Sequence, residues 1–238
     1  MREQIYTLDT VDSTNLEALR RLRAGEKAPF AVTASSQSAG RGRLGRAFYS
    51  PAGGLYVSVA LPVAGALSPL RYPAAAAVAV CRAMEAHTSA RPRVKWVNDV
   101  LVDGKKACGI LAEGFVWEGE LRAVVVGAGI NLDTGGFPEE LRPVAGALPQ
   151  GAPYEALRGA LIAALLSLPA LVQTDFLPEY RARSCVLGRR VRFGAHNAPE
   201  TWREGMALDI DAQGALLVQT ARGVERLATG EISLRVND

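Results

Sequence analysis

Between residues 93 and 131 the chain reads as four strands in immediate succession, with only turns between them. They cover residues 93–96, 100–102, 107–114 and 121–131, and Asp103-Gly104 and Glu118-Gly119 are hairpin signals between them. Further strands are expected at residues 5–8, 30–34 and 55–61. Residues 10–13 read as a turn and 35–51, polar and rich in Gly and Arg, as a loop. Helical spacing of Leu16, Leu19 and Leu22 predicts a first helix, with Thr14 and Glu17 matching a capping box. An alanine-rich helix is expected at 69–86, an apolar one at 154–173 interrupted near Pro169, and a short one at 176–182. Residues 134–153, rich in Gly and Pro, connect rather than pack. The pattern predicts an α+β fold, a mixed sheet with packed helices.

From Val186 the character changes. Five short strands, at 191–193, 206–210, 215–219, 224–227 and 232–236, predict a small C-terminal barrel of the SH3-like kind. Two units follow, residues 1–184 and 185–238.

Composition narrows the function. With 49% apolar residues in 238, the chain can bury a core, and 21% charge is ordinary for a soluble protein. The longest apolar run, residues 74–81, falls far short of the roughly 18 residues needed to span a bilayer. The first residues carry no apolar segment of a secretory signal. Three cysteines without a CxxC pair fit a reducing cytoplasm, and two histidines exclude a multi-histidine metal site. The net charge of +3 names no polyanion partner. Its distribution says more: no Asp or Glu lies between Glu26 and Glu85, while Lys27, Arg41, Arg43, Arg46, Arg71 and Arg82 do. Such a region suits a small anionic ligand, or else is a solvated basic loop.

The sharpest motif is Gly40-Arg41-Gly42-Arg43-Leu44-Gly45-Arg46. It contains GxGxxG, but Ala47 to Gly54 cannot form the helix a dinucleotide-binding fold needs next, and no acidic residue follows at the ribose position. No Walker P-loop occurs either. What remains is a glycine-hinged loop with three arginines, able to reorder and to pair with phosphate or carboxylate oxygens.

This loop resembles the GRGRxGR loop of biotin protein ligases, also called biotin–[acetyl-CoA carboxylase] ligases. The likeness extends along nearly the whole chain in the family's order. Ser13-Thr14-Asn15 is similar to the family's biotin-recognising STN, and Gln37 stands where the family has a Gln upstream of the loop. Residues 95–99 (KWVND) resemble its KWPND, 105–111 (KKACGIL) its (R/K)KxxGIL, and 127–131 (GAGIN) its GxGIN. Residues 211–216 (DAQGAL) and 230–235 (GEISLR) resemble signatures of its C-terminal barrel. Val97 replaces the family's proline, and Leu44 stands where some members carry another Arg. Twelve residues precede Ser13, so neither the helix-turn-helix domain of the family's regulatory members nor repressor activity is expected.

The resemblance implies a catalytic domain like that of class II aminoacyl-tRNA synthetases and a two-step reaction. Biotin's carboxylate attacks the α-phosphate of ATP, giving biotinyl-5′-AMP, and a lysine of a biotin carboxyl carrier protein then attacks the anhydride. It implies that Ser13, Thr14, Asn15, Gln37, Arg41, Gly42, Arg43, Lys106 and Gly109 bind biotin. Arg41, Arg43, Trp96, Asn98, Asn131, Glu231 and Arg235 are implied for ATP or the adenylate. Lys106, Asp99 and Arg43 are the implied catalytic residues, with Asp99 drawing in the incoming ammonium and helping remove its proton. Mg²⁺ would be held mainly by ATP phosphates.

Each assignment has a plainer reading. Lys106 is otherwise a hairpin surface lysine, Trp96 a core residue, and Asn98, Asp99 and Asn131 turn or strand-end groups. Glu231 and Arg235 are otherwise barrel-surface charges. Lipoate ligases and octanoyltransferases share the fold and the carrier chemistry, but a linear acyl chain needs no ureido partners. A nucleic-acid-binding module would need interleaved aromatics, and aromatics are only 6%. No nucleic acid or membrane partner is expected; a homodimer is left open.

Overall fold

The computed structural model describes residues 4–63, 71–195, 199–228 and 232–236. The first unit opens with β1 (Gln4–Val11), α1 (Thr14–Arg23), β2 (Phe30–Gln37) and β3 (Leu55–Pro62), followed by α2 (Arg71–His87). The hairpin-rich stretch supplies β4 (Arg93–Lys95), β5 (Asp99–Val102), β6 (Lys105–Trp117) and β7 (Glu120–Ile130). Then come α3 (Tyr154–Leu166), α4 (Leu168–Leu171) and α5 (Leu177–Arg183).

Seven strands form one sheet in the order β1-β2-β3-β7-β6-β5-β4. Only β1 and β2 pair in parallel; the other pairs are antiparallel, so the sheet is mixed. Alternation along each strand sorts its two faces. Leu55, Val57, Val59 and Leu61 turn toward α2 and α3 and build the larger core with Val126, Ala128 and Ile130. On the opposite face Ala18, Leu19 and Leu22 of α1 cover Phe30, Val32, Ala60 and Val125. Since α1 covers only part of that face, Tyr56, Gly127 and Gly129 are left to line a cleft there.

Several sequence expectations are corrected. β1 and β2 run longer than residues 5–8 and 30–34, because parallel pairing continues through Thr10↔Ser36 and Val11↔Gln37. The turn therefore starts at Asp12, and the loop after Gln37. The capping box is absent: the N-cap is Ser13, without a side-chain cap bond, and Glu17 instead pairs with Arg20 and Arg21. The apolar helix breaks at Ser167, giving α3 and α4, with Pro169 in the first turn of α4.

The C-terminal unit holds β8 (Arg190–Ala195), β9 (Arg203–Ile210), β10 (Leu216–Thr220), β11 (Gly223–Leu227) and β12 (Ile232–Val236). They form a five-stranded antiparallel sheet in the order β11-β10-β9-β8-β12, the SH3-like unit. Its buried Phe193, Ile210 and Leu216 belong to the same apolar cluster as α2 and α5.

Candidate active site

The arginine loop is closed on itself. Gly42 donates its N–H to the Arg46 carbonyl at 2.7 Å, and Phe48 donates to the Gly40 carbonyl at 2.8 Å. Leu44 and Gly45 both take positive φ, 58° and 74°, at the tip. Glycine adopts this region freely, whereas a leucine does so at a cost of roughly 1 kcal/mol or more. Leu44 is 46% exposed and lines the cleft.

A cleft of about 660 Å³ lies between this loop, the strand ends and the C-terminal unit. At one side sit Ser13, Thr14 and Asn15, all buried at the start of α1. Gln37 reaches them from β2: its Oε1 accepts from the Thr14 N–H at 2.9 Å, and its Nε2 donates to Ser50 Oγ at 2.8 Å. Beneath them the buried Ser58 hydroxyl lies 2.7 Å from Thr14 Oγ1 and 2.6 Å from Asn15 Oδ1. One hydroxyl proton can serve only one of them at a time, so this pocket can exchange hydrogen bonds with a polar ligand. Asn15 also donates to Glu113 Oε2 at 2.9 Å, and Glu113 in turn pairs with Arg41 at 3.2 Å. Close approach is needed here: a Cβ on Gly127 would stand 2.1 Å from Asn15 Oδ1, and one on Gly129 2.5 Å from the Phe48 ring.

The middle of the cleft carries charge. Lys106 Nζ lies 2.7 Å from Asp99 Oδ1, while Lys105 points elsewhere, its Nζ donating to the Arg142 carbonyl at 3.2 Å. Arg43 donates to Asn98 Oδ1 at 3.2 Å, and Asn98 is itself anchored by donating to the Ile110 carbonyl at 2.8 Å. Burial draws the Arg43 guanidinium below its ordinary value, against the pull of nearby Asp99. Gly42 and Gly109 also line the cleft. A Cβ on Gly109 would meet Phe48 at 2.9 Å.

Trp96 lines the cleft and is a core residue as well: it is 5% exposed, and its Nε1 donates to the Gly214 carbonyl at 3.0 Å. Beside it the Tyr180 hydroxyl donates to the Val97 carbonyl at 3.2 Å. Asn131 stands apart. Its Nδ2 donates to the Gly146 carbonyl at 2.9 Å, its buried Oδ1 has no hydrogen-bond partner, and it does not line the cleft. Glu231 lies outside the described residues; Arg235 is placed only by its backbone, opposite Arg192 in the β8–β12 pairing.

Sequence reasoning missed Phe48, Tyr56, Ser58, Lys95, Arg192 and Trp202 as site residues. Ser58 had one available signal, a polar residue in an otherwise apolar strand. Arg192 and Trp202 had none, since only the packing of the C-terminal unit brings them to the cleft. Among the described residues, six cations line it (Arg41, Arg43, Arg46, Lys95, Lys106, Arg192) against one carboxylate, Asp99. Such a cavity neutralises an anion with several charges. No cluster of three His, Cys, Asp or Glu suited to a metal occurs among the described residues.

Residues 8–131 match the biotin/lipoate A/B protein ligase family, and residues 186–235 match the biotin protein ligase C-terminal domain. The chain is 34% identical to the biotin–[acetyl-CoA-carboxylase] ligase of Paracoccus denitrificans, over 94% of this chain and 98% of that protein. It is 30% identical to the bifunctional ligase/repressor BirA of Bacillus subtilis, over 98% of this chain and 75% of that one. Its fold is similar to that of the biotin protein ligase from Aquifex aeolicus in complex with biotin and ATP. There the TM-score is 0.78 at 27% identity, covering 98% of this chain and 99% of the other.

Proposed function

This chain belongs to the biotin/lipoate A/B protein ligase family, and we propose that its cleft joins biotin to ATP and passes the biotinyl group to a carrier lysine. It is an ATP-dependent ligase of the biotin protein ligase kind. The observation that carries the assignment is the pairing of a buried polar pocket (Ser13, Thr14, Asn15, Gln37) with a cleft of six cations and one carboxylate.

The ureido group of biotin is a compact set of N–H donors and a carbonyl acceptor, costly to bury unpaired. Gln37, Thr14 and Ser13 offer it partners, with Gln37 Oε1 and the Ser58 hydroxyl both already at hydrogen-bond distance of Thr14. A lipoyl chain has no such group, which favours biotin within this family. The pocket and the charged centre lie along one face of the sheet, so biotin's carboxylate comes to the arginines and Lys106.

Adenylation brings a carboxylate onto a phosphate, and the two repel. Arg41, Arg43 and Lys106 lower that repulsion where charge builds up. Lys106 rests on Asp99 at 2.7 Å and must exchange this partner for ligand oxygens. The exchange frees Asp99 at the moment the anhydride forms. A carrier lysine has a pKa of about 10.4 and arrives protonated. Asp99 attracts this ammonium and accepts its proton, so that the neutral amine attacks the anhydride carbonyl and AMP departs. Asn98 fixes Arg43, and Trp96 closes the wall beside the nucleotide.

Magnesium fits as a companion of the nucleotide. Asp99 is the one carboxylate lining the cleft among the described residues and is already paired, so the ion's oxygens come mainly from phosphates. When bound, it neutralises phosphate charge. We divide the chain into a catalytic unit, residues 1–184, and the small barrel, residues 185–238. Three cysteines without a CxxC pair support a cytoplasmic setting. No described helix is long and apolar enough to cross a membrane.

The test is transfer itself. With biotin, ATP, Mg²⁺ and a biotin carboxyl carrier domain, intact mass should show one biotinyl group on one carrier lysine. No adduct, or one formed with lipoate alone, would overturn the assignment.

A further inference from the structure

We propose that Arg192 of the C-terminal unit, with Lys95, receives the pyrophosphate released when biotin is adenylated. The proposal rests on the biotin–ATP reading above and extends it to a residue in no motif.

Strand order lays out the cleft. Gln37 lies in β2, Lys106 and Gly109 lie in β6, and Lys95 ends β4 at the far edge of the sheet. In the first step an oxygen of biotin's carboxylate bonds to the α-phosphorus as the bond to the bridging oxygen breaks. The electron pair leaves with pyrophosphate, and no protein group has to move a proton. Attacking and leaving oxygens lie roughly in line. Biotin enters from the Gln37 side, so pyrophosphate departs past Lys106 toward β4 and the C-terminal unit.

Two cations, one at the β4 end and one on the C-terminal unit, line the cleft. Lys95 is half-buried at the cleft and has no carboxylate at ion-pair distance among the described residues. Arg192 lines the same cleft; its guanidinium lies 5.8 Å from the centre of the Trp202 ring and 3.4 Å from Glu204. The ring and the long, exposed ion pair hold the side chain at the cleft while leaving it free to take a stronger partner. Arg235 stands directly opposite Arg192 in the pairing of β8 with β12. A leaving group with several negative charges is stabilised most where separate cations converge, and that lowers the barrier to its departure. The plainer reading, a surface arginine occupied by Glu204, leaves the chemistry untouched.

The experiment separates the two half-reactions in the full chain. Arg192→Ala and Lys95→Ala should each slow formation of biotinyl-AMP from biotin and ATP about tenfold or more. Each should also raise, by a similar factor, the pyrophosphate concentration that half-maximally reverses that step. Transfer from ready-made biotinyl-AMP to the carrier lysine should be unchanged, since pyrophosphate takes no part in it. Arg192→Lys should keep most of the first step. Equal loss in both half-reactions would mark a folding role and overturn the proposal, as would no loss in either. A wild-type chain that forms no biotinyl-AMP would instead strike down the functional reading.

Discussion

Lys106 and Asp99 face each other across 2.7 Å at the centre of the cleft, and the residue next door shows how much side-chain direction matters. Lys105 donates to a backbone carbonyl outside the cleft. Lys106→Ala should therefore slow adenylate formation by about two to three orders of magnitude, as loss of ~2–4 kcal/mol implies. Lys105→Ala should leave it nearly intact. Single-turnover ATP consumption with biotin measures both, and equal effects would contradict the geometry. Most residues at this scale were legible in the sequence because they sit in short motifs: Ser13 to Asn15, Arg41 to Arg43, and Trp96, Asn98 and Asp99 all reach the cleft. Asn131 was also in a motif, yet the fold spends its amide on the Gly146 carbonyl. Ser58 and Arg192 were not legible as site residues, because each acquires its place through the fold: Ser58 by its contact with Thr14, Arg192 by the C-terminal unit lining the cleft.

The arginine loop and α1 are the two elements whose behaviour the structure changes. The sequence predicts a loop over residues 35–51 able to reorder; residues 35–37 belong to β2, and the rest is already bonded as a small hairpin whose tip Arg43 ties to Asn98. Biotinyl-AMP is open to water and to any free amine, so a loop with this tie serves to keep the intermediate enclosed. Arg43→Gly removes both the tie and a charge contact. Dissociation of preformed biotinyl-AMP should quicken about tenfold or more, the equivalent of ~1.4 kcal/mol or more. Labelling of an unrelated protein should rise with it; a variant that holds the adenylate like wild type would contradict this. α1 is anchored differently from the capping box its sequence suggests. Arg20 holds Asp12 through paired bonds of 2.8 Å, and this pulls the Asp12 carboxyl down to about 2. A depressed carboxylate stabilises the fold above its unfolded pKa of about 3.9 and loses that share as pH falls toward 2. Asp12→Asn should accordingly lower stability at neutral pH and flatten its decline between about pH 4 and 2 in denaturant titrations. The longer β1 and β2 were hidden for a related reason: their added residues are polar except for Val11, and only strand pairing orders them.

At the scale of the whole molecule, the C-terminal unit is joined to the rest by more than its linker. Trp96 donates to Gly214, Arg71 donates to the Ala212 carbonyl at 2.8 Å, and Arg181 reaches Asp209 at 2.7 Å. Apolar contacts run without a break from α2 through α5 into β8–β11. The chain should unfold in a single calorimetric transition, and two separated transitions would show the units to be independent. The class of fold, the change of character at Val186 and the hairpins of β5–β7 were readable from periodicity and turn residues. The docking was not, since two of its hydrogen bonds run from Trp96 and Arg71 to backbone carbonyls that carry no side-chain signature, and Arg181 and Asp209 meet only once the units pack. That docking brings Arg192 and Trp202 over a cleft whose other wall is built from α1 and β2. The account as a whole claims that this cleft activates biotin with ATP. ATP–pyrophosphate exchange, run with biotin and separately with lipoate, tests it most directly. Labelled pyrophosphate should enter ATP when biotin is present and not when lipoate replaces it; exchange that needs lipoate and ignores biotin would contradict the account.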